Sequence, residues 1–348
     1  MKPTDLIRMR LQRQLLLDHD HTTPAAIVAH MGAMQAQDFN GCRWAIGTRL
    51  PGITDADVLH AIECGDIIRT HLLRPTWHLA TKEDVRWMLR LSAPQIRASM
   101  TSRHDELDLH PKSIAKCQKV ITEALAEGPV SRPDLVAHLE RNKIATGDNR
   151  TAHILMLLEI DEVICSGPLM GKQISYSLMD GRVPALKAFD KAESLRTLAL
   201  RYFTSHGPAT QQDFAWWSGL RIADVRAAIE AASPSLEQET SGDKTYYWAA
   251  GPAVKQRKTL HLLPPFDEYI VAYQDRSDVL PATHFKTAVS SNGIFYPVVL
   301  ENGKAIGLWK KEQKKGRLQL TPALWSEDVS LPAPQWKKAI QELTDFHA

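Results

Sequence analysis

Gly128-Pro-Val-Ser-Arg-Pro-Asp-Leu135 and Gly207-Pro-Ala-Thr-Gln-Gln-Asp-Phe214 are two versions of one segment, 79 positions apart throughout (207 − 128, 210 − 131, 213 − 134). Both read as helix starts. Ser131 or Thr210 caps the helix, and Asp134 or Asp213 three residues on can return a hydrogen bond, with its negative charge at the favourable end of the helix dipole. An amphipathic helix precedes each copy, through Ile114, Cys117, Val120, Ile121 and Leu125 in one and Leu195, Leu198, Ala199 and Phe203 in the other. A third helix follows each, carrying Ile154, Leu157 and Leu158 or Val225, Ala228 and Ile229. Each copy then closes in a hairpin, around Gly171-Lys172 or around Ser241-Gly-Asp243, with Tyr176 and Tyr247 in the returning strands. Three helices and a hairpin are the order of a winged helix.

The same order, more loosely written, precedes the repeat. A first helix is expected from Thr4 through Leu6, Ile7, Leu11 and Leu15, and a second from the cap Thr23 with Pro24 at the first helical position. Ala26 stands where the repeat has its aspartate. A third helix follows Pro51-Gly52, with Thr54 as cap and Val58, Leu59 and Ile62 facing inward. Then Ile67 to Ala80 changes to strand periodicity and turns at Leu73-Arg-Pro75. Thr81-Lys-Glu-Asp84 reads as a capping box opening a helix that ends before Pro94. Beyond the repeat, from Leu260, the chain is strand-like through Ile270-Val-Ala-Tyr273, Pro297 to Leu300 and Ala305 to Trp309, with the type I′ signal Asn302-Gly303 between the last two. A final helix is expected from Pro334 to Phe346. The fold class is therefore α+β: three tandem winged-helix units, over 1–105, 106–186 and 187–258, followed by a small antiparallel β-barrel with a C-terminal helix over 259–348.

Composition narrows the class of function. The 348 residues are 44% hydrophobic and 24% charged, and no run reaches the length of a membrane span, so a cytoplasmic protein is expected. Cys42, Cys64, Cys117 and Cys165 are widely spaced, which argues against a zinc knuckle or a disulfide framework and for reduced, buried thiols. No histidine pair has helical metal spacing, and neither a metal nor a cofactor is expected. The formal charge of +2 permits nucleic-acid binding only if positive charge is concentrated locally.

One segment invites chemistry. In Met31-Gly-Ala-Met-Gln-Ala-Gln-Asp38, Gln35 and Gln37 point to one side of an extended backbone but diverge by about 200° in a helix. Two uncharged amides converging on one target can orient a water or read a base edge; the plain structural alternative is a polar loop after a helix. Nearby in sequence stand Arg43, Arg69, Arg74, Thr76 and His78, where arginines can hold phosphates and where any half-solvated hairpin also alternates polar residues. The run Lys310-Lys-Glu-Gln-Lys-Lys-Gly-Arg317, with Lys310, Lys311, Lys314 and Lys315, suits a DNA backbone as well as it suits a solvated turn. Trp216-Trp217 reads as core. Asp267 and Glu268, adjacent in what reads as sheet, point opposite ways and do not act as a pair.

Taken together, Met34-Gln-Ala-Gln-Asp38, Arg69-Thr-His-Leu-Leu-Arg-Pro-Thr-Trp-His78, Gly207-Pro-Ala-Thr210 with Asp213-Phe-Ala-Trp-Trp-Ser218, and Leu262-Leu-Pro-Pro-Phe-Asp267 continuing to Asp275-Arg276 resemble the AlkZ-like winged-helix DNA glycosylases nearly end to end. The resemblance implies three winged helices and a β-barrel around a DNA channel. It implies hydrolysis of the N-glycosidic bond of alkylated purines, with interstrand crosslinks unhooked by some members. Gln35-Ala36-Gln37 fits the glutamine form of the family motif, which the resemblance associates with crosslink-type substrates. The expected partner is double-stranded DNA carrying alkylated or crosslinked purines, bound by a monomer.

Uncharged catalytic residues suit this chemistry. Glycoside hydrolysis ordinarily pairs an acid with a second carboxylate. An N7-alkylated guanine already carries positive charge, so what remains is to hold water against the sugar carbon as oxocarbenium character develops. The expected catalytic residues are Gln37, orienting the water through its carbonyl, and Gln35, supporting the same water or the sugar. Asp38, Arg43, Arg69, Arg74, Thr76, His78, Arg276 and the four lysines are expected to contact substrate or DNA. Two other readings remain at this point. A winged-helix transcriptional regulator predicts sequence-selective duplex binding, and wings that contact proteins predict no salt-dependent DNA affinity.

Overall fold

The computed structural model describes residues 2–251, 257–314, 317–327 and 331–348, the side chains of 313–318 excepted. The chain divides into two compact units, one formed by Met1–Leu59, Leu195–Trp217 and Ile222–Ala348, the other by His60–Ser194 and Ser218–Arg221.

The repeat appears in both. In the first unit the helices Lys191–Ser205 (from Leu195 on), Gln211–Ser218 (up to Trp217) and Ile222–Ala232 are joined to strands Ala209–Thr210, Leu236–Ser241 and Lys244–Ala249, and the short first strand pairs with the last. In the second unit Pro111–Ala124, Arg132–Arg141 and Arg150–Ile160 combine with Val130–Ser131, Ile164–Ser166 and Ser175–Leu178 in the same strand order. The caps form as the sequence requires. Asp213 N donates to Thr210 Oγ1 at 3.1 Å while Thr210 N donates to Asp213 Oδ2 at 3.0 Å, and Asp134 N donates to Ser131 Oγ at 3.3 Å.

Before the first hairpin, Ile67–His71 with Trp77–Thr81, lie four helices instead of the expected three: Pro3–Arg13, Pro24–Met31, Phe39–Gly47 and Asp55–Glu63. The additional helix, Phe39–Gly47, buries every residue from Gly41 to Gly47. With seven consecutive residues buried, burial in this helix follows no single stripe. The helix Val85–Ser99 continues through Pro94 instead of ending before it. At its start Thr81 Oγ1 donates to Asp84 Oδ2, but the first helical residue is Val85.

Among the described residues no closed barrel is found. Leu260–Leu263, Val298–Glu301, Lys304–Lys314 and Arg317–Leu324 form an open four-stranded antiparallel sheet in chain order. The reason lies at Ile270–Tyr273, read from sequence as a strand: Asp267 caps a short helix, Glu268–Val271, by accepting from Tyr269 N at 2.9 Å. Helical backbone at this point removes a strand that closure would use. The hairpin at Asn302-Gly303 does form, with φ of 49° and 81°, as a type I′ turn requires. A Cβ on Gly303 would stand 2.3 Å from Ile7 Cγ2, so this turn packs directly on the N-terminal helix. The last helix runs Ala333–Phe346.

Two smaller expectations also change. Cys42, Cys117 and Cys165 are buried but Cys64 is exposed. Trp217 is core, whereas Trp216 is 40% exposed and donates from Nε1 to Val271 O.

Candidate active site around Gln35 and Gln37

Met34–Gln35 is a two-residue strand between the helices Pro24–Met31 and Phe39–Gly47, and the chain is non-helical from Ala33 through Asp38. The helix before it ends at Gly32, whose φ of 77° is the turn that lets the chain leave. The helix after it begins at Asp38, whose Oδ1 accepts from Gly41 N at 2.6 Å. Asp38 is thus an N-cap that fixes where the extended segment stops.

Within the segment the two glutamines differ. Gln35 is buried and Gln37 exposed, with buried Ala36 between them. The Gln35 side chain folds forward so that its Oε1 accepts the Gln37 N–H at 2.6 Å. The Gln35 carbonyl is therefore spent on the main chain of Gln37. Gln37 lies at the surface.

Behind the segment lies a buried carboxylate that the sequence reading set aside. Glu268 Oε1 accepts the Gln35 N–H at 2.6 Å, and Oε2 accepts from Trp217 Nε1 at 3.2 Å. His206 Nε2 stands 3.4 Å from the same Oε2, and its Nδ1 lies 2.8 Å from Ser205 Oγ. Burial lowers the pKa of His206, which keeps the imidazole neutral. Asp267 turns the other way, to Arg49, whose Nη1 and Nη2 donate to its two oxygens at 2.7 and 2.8 Å. The adjacent acids do act apart, though at a helix start instead of in a sheet. Phe266-Asp267 after a Pro-Pro pair was the available signal, since Asp is a preferred N-cap.

The remaining expected contacts separate by burial. Arg43 is held by Asp55, with Nε to Oδ1 at 2.6 Å and Nη2 to Oδ2 at 3.0 Å, by Asn40 Oδ1 at 3.0 Å, and over the Phe39 ring. Its geometry is that of a pair holding two helices together. Arg276 is buried and donates to the carbonyls of Ile270, Val271 and Gln274 at the end of the short helix, between the Trp216 and Phe295 rings. Lys310 and Lys311 are exposed and line a cavity of 390 Å³ together with Asp38, Asn40, Trp44, Pro265 and Trp309. The fold thus brings two of the expected lysines to the residue that follows Gln37. The side chain of Lys314 and all of Lys315 lie outside the described residues.

Arg69, Arg74, Thr76 and His78 belong to the other unit. The strand Ile67–His71 is buried on both faces, not half-solvated. Arg69 stacks over Trp77 at 4.5 Å, with His71 packed 4.4 Å from the same indole and bonded through Nδ1 to the buried Glu159. His78 is fully buried, its Nδ1 2.9 Å from Thr76 O, and burial beside Arg74 pushes its pKa down to about 3. Arg74 and Thr76 are half-buried at the turn, where Leu73 takes a φ of 60°.

Among the described residues no helix is long and apolar enough to cross a membrane. A family model described as DNA glycosylase AlkZ-like matches residues 28–348. The interstrand DNA cross-link repair glycosylase of Streptomyces sahachiroi is 23% identical over 317 residues, 86% of this chain and 85% of that protein. The solved structure of the Streptomyces sahachiroi DNA glycosylase AlkZ superposes with a TM-score of 0.83 at 20% identity, over 99% of this chain and 96% of that one.

Proposed function

Because the chain belongs to the AlkZ-like DNA glycosylase family, we propose that it hydrolyses the N-glycosidic bond of N7-alkylated purines in double-stranded DNA, interstrand crosslinks among them. The observation that carries this reading is the exposed Gln37 amide at the end of an extended segment pinned on both sides, by Gln35 Oε1 and by the Asp38 cap. Hydrolysis of a cationic leaving group needs a water held in place more than it needs an acid, and a rigidly presented neutral amide does that.

Gln37 holds the water through its side-chain carbonyl, and Gln35 fixes the Gln37 backbone instead of sharing the water. Asp38 sets the end of the segment. Lys310 and Lys311, exposed beside Asp38, are read as phosphate contacts, together with Lys314 and Lys315. The two copies of the repeat and the N-terminal helices with their hairpin are read as three winged helices over 1–105, 106–186 and 187–258, and 259–348 as a separate segment. The name of the Streptomyces sahachiroi relative supports crosslinked DNA as a substrate.

The test is release of N7-methylguanine from duplex DNA, and unhooking of an N7-linked crosslink, by the wild type and by Gln37→Ala. A loss of about 100-fold or more in the single-turnover rate is expected, the usual size for a group that positions a reactant. Equal rates for the two proteins would remove the role given to Gln37. Tight sequence-selective binding with no base released from any lesion would overturn the glycosylase reading in favour of a regulator.

A further inference from the structure

Glu268 is the one group described above that touches the motif strand from behind without being part of it. Its surroundings demand a carboxylate. The Gln35 N–H at 2.6 Å, the Trp217 Nε1–H at 3.2 Å and the His206 Nε2 at 3.4 Å converge on its two oxygens. The first two are donors. An ionised carboxylate offers acceptors at both oxygens, whereas a glutamine of the same shape would turn an NH2 group toward at least one of these N–H groups. The side chain is 1% exposed, and burying a charge is costly unless the bonds it makes are the point of having it there.

Those bonds lead to one place. From Glu268 the hydrogen-bond path runs to the Gln35 N–H, and from Gln35 Oε1 to the Gln37 N–H. The first bond sets the Gln35 peptide plane and the second sets the backbone from which the Gln37 amide projects. We propose that Glu268 is the positioning residue of the Gln35–Gln37 motif: its buried carboxylate, held by Trp217, locks the Gln35 peptide so that Gln37 is presented in one conformation. The inference rests on the base-excision reading and adds a residue to it. Charge-assisted bonds of this length are stiffer than neutral ones, and a misplacement of about 1 Å costs a positioned reaction on the order of 100-fold.

The experiment is single-turnover release of N7-methylguanine by wild type, Glu268→Gln, Gln37→Ala and the double variant, with duplex affinity measured alongside. Release by the wild type establishes the activity independently of Glu268. Glu268→Gln is expected to be at least 30-fold slower per folded molecule, with duplex Kd within twofold of wild type. The double variant is expected to be no slower than Gln37→Ala, because a residue acting only through Gln37 has nothing left to position. A Glu268→Gln rate within threefold of wild type, losses that multiply in the double variant, or a rate that falls only in step with the folded fraction would each overturn the proposal. Should Glu268→Gln not fold, Glu268→Asp keeps the charge and shortens the reach by one methylene. It is then expected to be about tenfold slower at unchanged affinity and non-additive with Gln37→Ala, and a wild-type rate would overturn the proposal equally.

Discussion

Asp267→Asn is predicted to cost about 3–5 kcal/mol of stability, although it changes only one atom type. Arg49 is fully buried and makes five hydrogen bonds. Three go to neutral acceptors: Gln14 O at 2.9 Å, Gln14 Oε1 at 3.0 Å and Ala45 O at 2.9 Å. The other two go to Asp267, at 2.7 and 2.8 Å, and among the described residues supply the only negative charge in direct contact with the guanidinium. Bonds to charged groups contribute about 1.5–3 kcal/mol each. Asparagine keeps one acceptor and the cap on Tyr269 N, but turns an NH2 toward an N–H and leaves a buried cation without a countercharge. Asp267→Ala also loses the cap, worth about 1 kcal/mol more. The assay is equilibrium urea unfolding followed by tryptophan fluorescence, and in a thermal melt the same loss is a Tm drop of about 6–20 °C at the usual 2–4 °C per kcal/mol for units of this size. Replacing the pair by Arg49→Met with Asp267→Leu should recover most of the loss, since well-packed apolar groups substitute for a buried ion pair at little cost. A loss below about 1 kcal/mol in Asp267→Asn would refute the argument.

The protein is also predicted to lose stability on mild acidification. Burial lowers the pKa of His78 from 6.5 to about 3, and of His30 to about 4. Folded values below the unfolded one mean that the unfolded chain takes up protons first, so stability is full above about pH 6.5 and falls as pH drops toward 4, at up to ~1.4 kcal/mol per pH unit for each group. Urea midpoints between pH 7.5 and 4.5 check this, and His78→Gln should flatten the slope by one proton. Lys310→Ala and Lys311→Ala should each weaken duplex binding without regard to sequence and lower the salt slope by about 1, while Arg43→Ala, removing a group already held by Asp55, should leave that slope unchanged. Equal slopes for all three variants would remove the lysines from the interface.

Sequence alone determined the elements whose signals are local. The repeat at Gly128 and Gly207, its caps, both hairpins, the Asn302-Gly303 turn and the final helix depend on residues within a few positions of one another, and they form as the pattern requires. The non-helical path through Gln35 and Gln37 was of the same kind. Tertiary structure decided what depends on distant partners. Phe39–Gly47 buries seven consecutive residues, 41–47, and Ile270–Tyr273 is not a strand because Asp267, paired with Arg49 218 positions away, caps a helix there. Arg43 could be counted as a basic residue from sequence, but only its distance to Asp55 shows the charge to be taken. The same holds for Glu268, which reaches Gln35 across 233 positions. A hydrogen bond of that span leaves no periodicity in the chain, because its geometry is set by packing between elements and by no local rule.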